Sequence, residues 1–426
     1  MNNAQPEQIL TASFQAAIAA ADPLHILPQH LPAPPIGRTV VVGAGKAAAA
    51  MAVAVEQHWP WHAPLSGTVV TRYQHGMPTK RIKVIEASHP VPDGAGEMAS
   101  REILQLTQSL CVDDLLIVLI SGGGSSLLAL PAEGLTMEDL KTVTAKLLQS
   151  GAPIQEINIV RKHLSAIQGG RLAASTPAQI LTLIISDVTG DDPTHIASGP
   201  CAPDPSTYQD AINILNRYQI NASVTINKHL SLGVRGEIDE TPKPGSSVFV
   251  RTENRVIATA HQSLKAAASY FNSLRIPAVI LGDSVTGEAR DVAKVYGALA
   301  RQIKQHQTPW PAPIALISGG ECTVTVRQTG RGGRCSEFLL ALAIDLDAMP
   351  NTYALAGDTD GIDGSENNAG ALLLPNTLAL ADKLHLSAQD HLDRHDSFEF
   401  FEALNALIVT GPTRTNVNDY RAILLL

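Results

Sequence analysis

The sequence predicts a two-domain α/β protein, and three observations lead to that prediction. Apolar runs of strand length alternate with helical stretches along most of the chain. Two of those runs, residues 115–120 (LLIVLI) and 180–186 (ILTLIIS), are almost entirely apolar, as expected for parallel strands covered on both faces. The length of 426 residues exceeds that of a usual single domain. The alternation therefore indicates a doubly wound, Rossmann-like N-terminal domain and a smaller α/β C-terminal domain.

The elements of the first half follow in order. A helix is predicted over residues 5–21, and it ends before a proline-rich stretch at 28–35. A strand begins at Thr39. Further strands are predicted at 67–71, 83–86, 115–120 and 180–186, and helices at 101–110, 137–149 and 158–174.

A change of composition near residues 240–247 (ETPKPGSS) predicts the domain boundary, giving domains 1–240 and 245–426. The second half has strand-like runs at 248–251, 278–281, 314–318, 322–326 and 353–356, and a helix within 284–306. One strand in each half ends in Ser-Gly-Gly, at 121–123 and 318–320. We expect these loops to face one another across a cleft. Because strand–glycine turns are common, coincidence is the alternative explanation of the repeated Ser-Gly-Gly.

Charge and cysteine content narrow the function classes. The net charge of −9 and the lack of a basic stripe argue against a nucleic-acid partner. The four cysteines form no C-x-x-C pair, so we expect reduced thiols and a cytoplasmic protein. The N-terminus does not have the pattern of a signal peptide, and the longest apolar runs are too short to cross a membrane.

A glycine turn follows the first predicted strand, in VVVGAGKAAAAM (residues 40–51). Gly43, Gly45 and Ala48 fit the dinucleotide pattern G-x-G-x-x-A, but the acidic residue expected about 20 positions later is missing. A phosphate-binding P-loop fails as well, because Val40 stands where that pattern needs glycine. What remains is a turn at a helix N-terminus with Lys46 beside it. That combination favours an anion, although Lys46 on a purely structural turn is the alternative.

A second glycine loop, ISGGGSSLLALP (residues 120–131), follows another predicted strand. Consecutive glycines let the backbone approach a ligand closely, and serine hydroxyls add donors. We therefore expect this loop to bind phosphate or nucleotide through Ser121, Gly122, Gly123, Gly124, Ser125 and Ser126.

Carboxylates follow the strand at 180–186, where open α/β sheets place their sites. Asp187 is the first candidate to hold a magnesium ion and Asp191 the second, ahead of Asp192. Gly190, in the same loop, is a candidate to bind the nucleotide. Because Asp192-Pro193 resembles a helix start, a capping role for these aspartates is the alternative.

Cationic and imidazole side chains are candidates for binding the substrate. Arg161, Lys162 and His163 are placed near the start of the predicted helix 158–174, where the helix dipole opposes positive charge. Helix stability would not explain them there, but an anionic substrate would. His89 lies on a proline-rich loop and is either a donor to substrate or a structural residue.

The second half contributes a guanidinium and a group of acids. Arg331 and Arg334 lie on a glycine loop before an apolar helix, and such a group can neutralise a transferring phosphoryl. Four acids follow a strand within LAGDTDGIDGSENNAG, and their spacing does not fit a calcium-binding EF-hand loop. Among them, Asp358 or Asp360 is the candidate base toward a substrate hydroxyl, or a magnesium ligand.

These motifs, taken in order, resemble the glycerate 2-kinases of the MOFRL type, some of which carry the older label hydroxypyruvate reductase. The resemblance runs from about residue 8 to the end and rests on GAGKA, SHPVPD, SGGGSSLL, INIVRKHLSAIQGGRLA, SDVTGDDPTHIASGP, GGR..E, AGDTDGIDG and VTGPTRTNVNDY. It implies two α/β domains around a cleft, with ATP-dependent, magnesium-assisted phosphorylation of D-glycerate at the 2-hydroxyl. NAD(P)H-dependent reduction of hydroxypyruvate is the alternative, and a nucleotide-binding regulator without turnover is a third hypothesis.

The resemblance also implies roles for residues. Lys46 and Arg334 would be the main cations of the cleft, the 121–126 loop would take the nucleotide phosphates, and the carboxylates would serve metal and substrate. The chain departs from the family in having Cys335 and Ser336 in place of Asn and Gln, and Arg414 in place of Gly. These departures leave the identity of the hydroxy acid open. The sequence is compatible with a monomer or a homodimer.

Overall fold

The structure is a computed structural model that describes residues 5–426, and the chain divides into two compact units. The first unit is Pro23–Ile257. The second unit combines the N-terminal residues up to Asp22 with Ala258–Leu426. This division differs from the predicted domains 1–240 and 245–426, because the N-terminal helix α1 (Pro6–Ala19) belongs to the second unit and the first unit extends past residue 245.

A six-stranded sheet forms the centre of the first unit. Its strand order is β3-β2-β1-β4-β5-β6, and the register pairs joining β1 to β2 and β4, β2 to β3, and β4 to β5 are all parallel. This 3-2-1-4-5-6 order is that of a dinucleotide-binding Rossmann sheet, so the doubly wound prediction is confirmed. The strands are β1 (Thr39–Ala44), β2 (Leu65–Arg72), β3 (Ile82–Ala87), β4 (Leu115–Ile120), β5 (Gln179–Ile185) and β6 (Thr252–Ala258).

Nine helices of the first unit cover this sheet or form a separate helical cluster. β1 and β4 are buried along their whole length, which explains why their sequences are continuously apolar. The helices are α2 (Pro23–Ile26), α3 (Ala48–His58), α4 (Gly94–Gln108), α5 (Gly124–Leu127), α6 (Met137–Gln149), α7 (Ile154–His163), α8 (Arg171–Ala174), α9 (Tyr208–Arg217) and α10 (Val224–Val234).

The second unit has its own six-stranded sheet, in the order β11-β10-β9-β12-β8-β7. This sheet is mixed: β7 and β8 are parallel, whereas β12 runs antiparallel to both β8 and β9. The strands are β7 (Ala278–Gly282), β8 (Ile314–Ser318), β9 (Thr352–Asp358), β10 (Gly370–Leu373), β11 (Leu407–Ile408) and β12 (Asp419–Leu425).

Helices pack on the second sheet, and α1 is one of them. Leu10, Phe14 and Ala17 of α1 are fully buried in a cluster that includes residues of β9, β12 and α11. The other helices are α11 (Ala260–Ser273), α12 (Ala289–His306), α13 (Arg334–Leu346), α14 (Thr377–Lys383), α15 (Ala388–Asp393) and α16 (Ser397–Ala403). None of the helices in residues 5–426 combines the length and apolar character that a membrane crossing needs.

Three predicted elements are wrong. Residues 247–251 form a 3-10 helix, and the strand that follows them, β6, adds to the first sheet; this is why the boundary falls later than predicted. Residues 322–326 form no strand beyond a single bridge between Thr323 and Glu288. The predicted helix 158–174 is two helices, α7 and α8, separated by a turn at Gly169 and Gly170, whose φ angles are 61° and 81°.

Candidate active site

The glycine turn after β1 is packed against the loop that follows β4. Gly45 donates its N–H to Val70, Lys46 donates to the Gly122 carbonyl at 2.8 Å, and Ala47 donates to Ser121 Oγ at 2.9 Å. A Cβ on Gly45 would lie 2.1 Å from Ser121 Oγ, and one on Gly43 would lie 2.2 Å from the Leu119 carbonyl oxygen. Close packing therefore explains both glycines, and nucleotide binding by Gly43 and Gly45 stays a prediction.

The loop after β4 offers different groups. Among the described residues, nothing accepts a hydrogen bond from the N–H groups of Gly123 and Ser125, although the neighbouring N–H of Gly124 donates to Ser121. Gly123 is left-handed, with φ of 82°. The loop thus keeps two backbone donors for an anion at the carboxyl end of the sheet.

Lys46, His89 and Gly123 meet at this end of the first unit. A Cβ on Gly123 would lie 2.9 Å from His89 Nε2 and 3.6 Å from Lys46 Cγ. Both Lys46 and His89 are half-buried. The nearby Asp93 caps α4 by accepting the Gly96 N–H at 3.0 Å, so it serves the helix. An ammonium and an imidazole therefore flank the triple-glycine loop.

Arg161 and Lys162 lie in the last turn of α7, not near a helix start. The helix dipole favours cations at that end, so stability explains them and the argument for an anionic substrate does not hold. Lys162 is 3% exposed and lies 3.4 Å from Asp204 Oδ1. Arg161 Nε lies 3.5 Å from Thr144 Oγ1, and burial lowers the pKa of Arg161.

The loop after β5 carries the predicted metal ligands. Asp187 and Asp191 are half-buried, and Asp191 is left-handed with φ of 54°. Gly190 faces open space, whereas Asp192 accepts the Thr194 N–H at 2.8 Å and so stabilises the turn. In residues 5–426, no group of three or more His, Cys, Asp or Glu side chains is arranged to hold a metal ion. Asp187 and Asp191 therefore do not form an all-protein metal cage.

Arg334, the first residue of α13, is the central cation of the second unit. Its Nε lies 2.8 Å from Asp419 Oδ1, and its Nη2 lies 2.6 Å from Asp358 Oδ2. Glu321 is 3.5 Å from Nη1. Although burial lowers the pKa of Arg334, the carboxylates of Asp419 and Asp358 outweigh it and raise that pKa well above the ordinary value. The guanidinium is therefore held in a fixed orientation as a permanent cation.

A cavity of about 250 Å³ in the second unit reaches this guanidinium. Its lining includes the side chains of Cys322, Val324 and His395, together with Arg334 and the glycines at 330, 332 and 333. Arg334 keeps 21% of its side chain exposed despite its carboxylate partners. A ligand can therefore reach the cation from this side.

Comparison with known proteins places the chain among enzymes. A domain of unknown function, DUF4147, matches residues 9–231, and the MOFRL family matches residues 314–419. A protein of Agrobacterium vitis, provisionally named a hydroxypyruvate reductase, is 48% identical over 100% of this chain and 95% of its own. The D-glycerate 2-kinase of Thermotoga maritima is 36% identical over 95% of this chain and 94% of its own. The crystal structure of a glycerate kinase from the same organism has a TM-score of 0.87 and 34% identity, and covers 99% of both chains.

The chain belongs to the glycerate kinase family. The predicted resemblance and the two-domain α/β fold are thereby confirmed.

Within this glycerate kinase fold, the carboxylates of Asp358 and Asp360 both accept hydrogen bonds from backbone N–H groups. Asp358 Oδ1 accepts the Asp360 N–H at 3.0 Å, and Asp360 Oδ1 accepts the Ile362 N–H at 2.8 Å. Each is 2% exposed. Asp358 acts on Arg334 as an ion-pair partner, which the sequence did not indicate.

Two charged residues near Arg334, Asp419 and Arg421, were not selected from the sequence. Asp419 is buried between Arg334 and Arg421, with Arg421 Nη2 2.6 Å from its second oxygen. Asp419 lies within the motif VTGPTRTNVNDY, so a signal existed. Its role requires the pairing of β12 with β9, in which Asp419 is opposite Asp358.

The departures at Cys335 and Ser336 face the interior of the second unit. Both side chains are fully buried, and their N–H groups donate to Asp363 at 2.9 and 2.8 Å. Ser336 Oγ also donates to Asp363, at 2.6 Å. These two positions therefore stabilise the N-terminus of α13, and neither side chain lines the cavity beside Arg334.

Proposed function

We propose that this chain is an ATP-dependent glycerate 2-kinase that transfers a phosphoryl group to the 2-hydroxyl of D-glycerate. The name of the Thermotoga maritima relative supports the acceptor, its chirality and the position. Catalysis of phosphoryl transfer consists mainly of positioning and charge neutralisation. The chain offers cations, backbone donors and carboxylates for that purpose.

One observation carries the proposal: Lys46 and His89 flank a triple-glycine loop in which Gly123 and Ser125 keep N–H donors for an anion. The nucleotide phosphates would bind this loop, with Lys46 compensating their charge and His89 donating to a phosphate or to the carboxylate of glycerate. Ser121 would act indirectly, because its hydroxyl holds the turn that carries Lys46.

Magnesium fits the carboxylates that follow β5. This cation is usually held by one or two carboxylates together with substrate phosphates, and hard oxygen donors are what Asp187 and Asp191 supply. Bound there, the ion would neutralise charge on the transferring phosphoryl group. Gly190, which faces open space, would leave room for the phosphates.

Arg334 is a candidate to stabilise the transferring group, because Asp358 and Asp419 fix the direction of its guanidinium. That Asp358 or Asp360 orients the attacking hydroxyl stays a prediction. Arg161 and Lys162 are weaker candidates for substrate binding than the sequence indicated, since Lys162 is buried against Asp204.

Reduction of hydroxypyruvate is the second candidate, because the relative with 48% identity carries that name. A dinucleotide site needs N–H groups of the first glycine turn for the pyrophosphate. Here Gly45, Lys46 and Ala47 donate theirs to protein atoms, which favours the kinase.

An ADP-release assay separates the two candidates. Purified protein with Mg-ATP and D-glycerate should release ADP and form 2-phosphoglycerate. The same protein with NADH or NADPH and hydroxypyruvate should leave the cofactor unoxidised. Oxidation without ADP release would overturn the proposal in favour of the reductase.

Replacing Arg334 tests its role. We expect Arg334→Gln to lower kcat about 100-fold or more, as for loss of a positioned donor to a transition-state charge. Arg301→Gln is the matched control, because Arg301 is also an ion-paired arginine of the second unit, 2.6 Å from Asp345, but lies away from the cavity. Equal activity of both variants would remove Arg334 from the mechanism.

We also propose that the protein works in the cytoplasm, as the four free cysteines support a reducing compartment. Fractionation of cells of the source organism, followed by the kinase assay, tests this.

A further inference from the structure

Three successive residues of the first unit adopt left-handed backbone conformations. Their φ angles are 50° at Ala197, 58° at Ser198 and 60° at Gly199. Left-handed geometry is unfavourable for a residue with a β-carbon, so two such residues in a row need support from their surroundings. The support is visible: Gly169 donates its N–H to the Ser198 carbonyl at 3.0 Å, and Gly170 donates to Gly199 at 2.7 Å.

This strained segment lies directly against the triple-glycine loop. A Cβ on Gly124 would be 2.6 Å from the Ala197 Cβ, so the two backbones approach too closely for any other residue. Ser198 is fully buried, and its Oγ lies 2.9 Å from the Oγ of the half-buried Ser125. The left-handed turn thereby directs the Ser198 hydroxyl at Ser125.

The hydroxyl protons of Ser125 and Ser198 can be arranged in two ways. Ser198 Oγ has Asn158 Oδ1 as a second neighbour at 3.4 Å, a long and weak contact. Each serine hydroxyl has one proton to donate. If Ser198 donates to Asn158, Ser125 donates to Ser198. If Ser198 turns and donates to Ser125, the Ser125 proton is released for another acceptor.

We propose that Ser198 is a positioning residue for Ser125, and that their hydroxyls rearrange when an anion binds the triple-glycine loop. Ser125 then donates to an anionic oxygen and accepts a hydrogen bond from Ser198, while the contact to Asn158 is given up. This inference rests on the proposed function in taking the anion to be a phosphate of ATP. A carboxylate of glycerate has the same chemistry and is distinguished by the experiment.

The test is a double-mutant cycle with Ser125→Ala, Ser198→Ala and the double variant. For each protein, the KM for ATP, the KM for D-glycerate, kcat and the Kd for Mg-ATP from calorimetry are measured. We expect Ser198→Ala to raise the KM and Kd for ATP about tenfold, with less than a twofold change in the KM for glycerate. The double variant should match Ser125→Ala, because Ser198 acts through Ser125.

Ala197→Gly is the matched control. It removes a left-handed β-carbon next to Ser198 but leaves the hydroxyl pair in place. We expect its KM for ATP to stay within twofold of the wild type, and its resistance to urea to rise. Urea unfolding of every variant shows whether each protein is folded.

The outcomes separate this inference from the proposed function. Additive effects of the two serine replacements on ATP, or an unchanged KM and Kd in Ser198→Ala, overturn the positioning role. A coupled effect on the KM for glycerate supports the serine pair but overturns the assignment of this loop to ATP phosphates. If the wild type binds Mg-ATP without turnover, the kinase proposal fails and the coupling in Kd still decides the role of Ser198.

Discussion

Arg414 has a left-handed backbone with φ of 59°. A side chain costs about 1 kcal/mol in that conformation relative to glycine. In the part of the chain that the structure describes, the buried Nε of Arg414 has no hydrogen-bond partner. Backbone geometry is thus a physical reason for the glycine that the family usually has at this position.

We therefore expect Arg414→Gly to raise the free energy of unfolding by about 0.5–1 kcal/mol, measured by urea denaturation. Arg235→Gly is the control, since Arg235 has an ordinary right-handed φ of −80° and glycine gains nothing there. A lower free energy of unfolding for Arg414→Gly would show that the Arg414 side chain stabilises the fold by more than its left-handed backbone destabilises it.

At the scale of residues, charge and glycine patterns predicted the neighbourhood of the site better than the role of each side chain. Lys46 and Arg334 could be selected because cations beside glycine loops are unusual. The contacts of Asp419 and Ser198 could not be predicted, because the partner of each is more than 70 positions away in the sequence. The sequence does not distinguish the two possible roles of Gly43 and Gly45, because a glycine needed for packing has the same sequence signal as one needed for a ligand.

At the scale of elements, the N-terminus of α13 is held by a residue from outside the helix. Asp363 accepts hydrogen bonds from the N–H groups of Cys335 and Ser336, and Gly333 has no side chain because a Cβ there would lie 2.2 Å from Asp363 Oδ1. Because α13 begins at Arg334, this contact also fixes the position of the guanidinium.

Asp363→Ala should lower the free energy of unfolding by about 2–4 kcal/mol, since it leaves buried N–H donors without acceptors. It should lower kcat in the same protein because Arg334 loses its support. Asp393→Ala, an exposed aspartate of α15, is the control and should leave both quantities nearly unchanged. Full activity in Asp363→Ala would show that Asp358 and Asp419 suffice to position Arg334.

The end of α7 is held by a carboxylate from a later segment. Glu240 lies 3.0 Å from the buried His163 Nε2 and accepts the N–H groups of Thr241 and Tyr208. Burial alone raises the pKa of Glu240, but the hydrogen bonds from His163 and the backbone lower it to about 2. A carboxyl whose pKa is lowered by folding stabilises the fold fully at pH values above its pKa in the unfolded chain, near 4.5. That contribution is lost as the pH falls toward 2.

Glu240→Gln should therefore reduce stability by about 1–2 kcal/mol at pH 6, a value that allows for solvent screening of a side chain that is 34% exposed. The difference from the wild type should shrink between pH 4.5 and 2. Urea unfolding across this pH range measures it, with the exposed Glu237→Gln as control. A difference that does not depend on pH would remove the ionised carboxylate as its cause.

The same element shows where sequence periodicity fails. Residues 158–174 continue a helical pattern, but two left-handed glycines, Gly169 and Gly170, interrupt it. A glycine pair is compatible with a helix interior or a turn, and contacts from the loop at 198–199 decide between them. Because α7 ends near Arg161 and Lys162 instead of beginning there, the helix dipole favours these cations and does not oppose them.

At the scale of the whole molecule, the second unit is built from two separate stretches of the chain, one before and one after the first unit. The predicted N-terminal domain 1–240 includes α1, because the change of composition near residues 240–247 marks a single boundary. Instead α1 packs in the second unit, where Phe14 stacks on Tyr420 with ring centroids 5.6 Å apart and Ser13 accepts the Tyr420 hydroxyl. A contact between residues about 400 positions apart has no local signal.

This topology predicts that a destabilising substitution in α1 lowers the stability of strands near the C-terminus of the chain. Phe14→Ala should lower the stability of the second unit by about 3–5 kcal/mol, because the ring is fully buried. Hydrogen exchange read by mass spectrometry should show lost protection in β9 and β12 while β1 and β4 keep theirs. Gln15→Ala, on the exposed face of α1, should change neither. Loss confined to the first unit would mean that α1 belongs to the domain in which the sequence placed it.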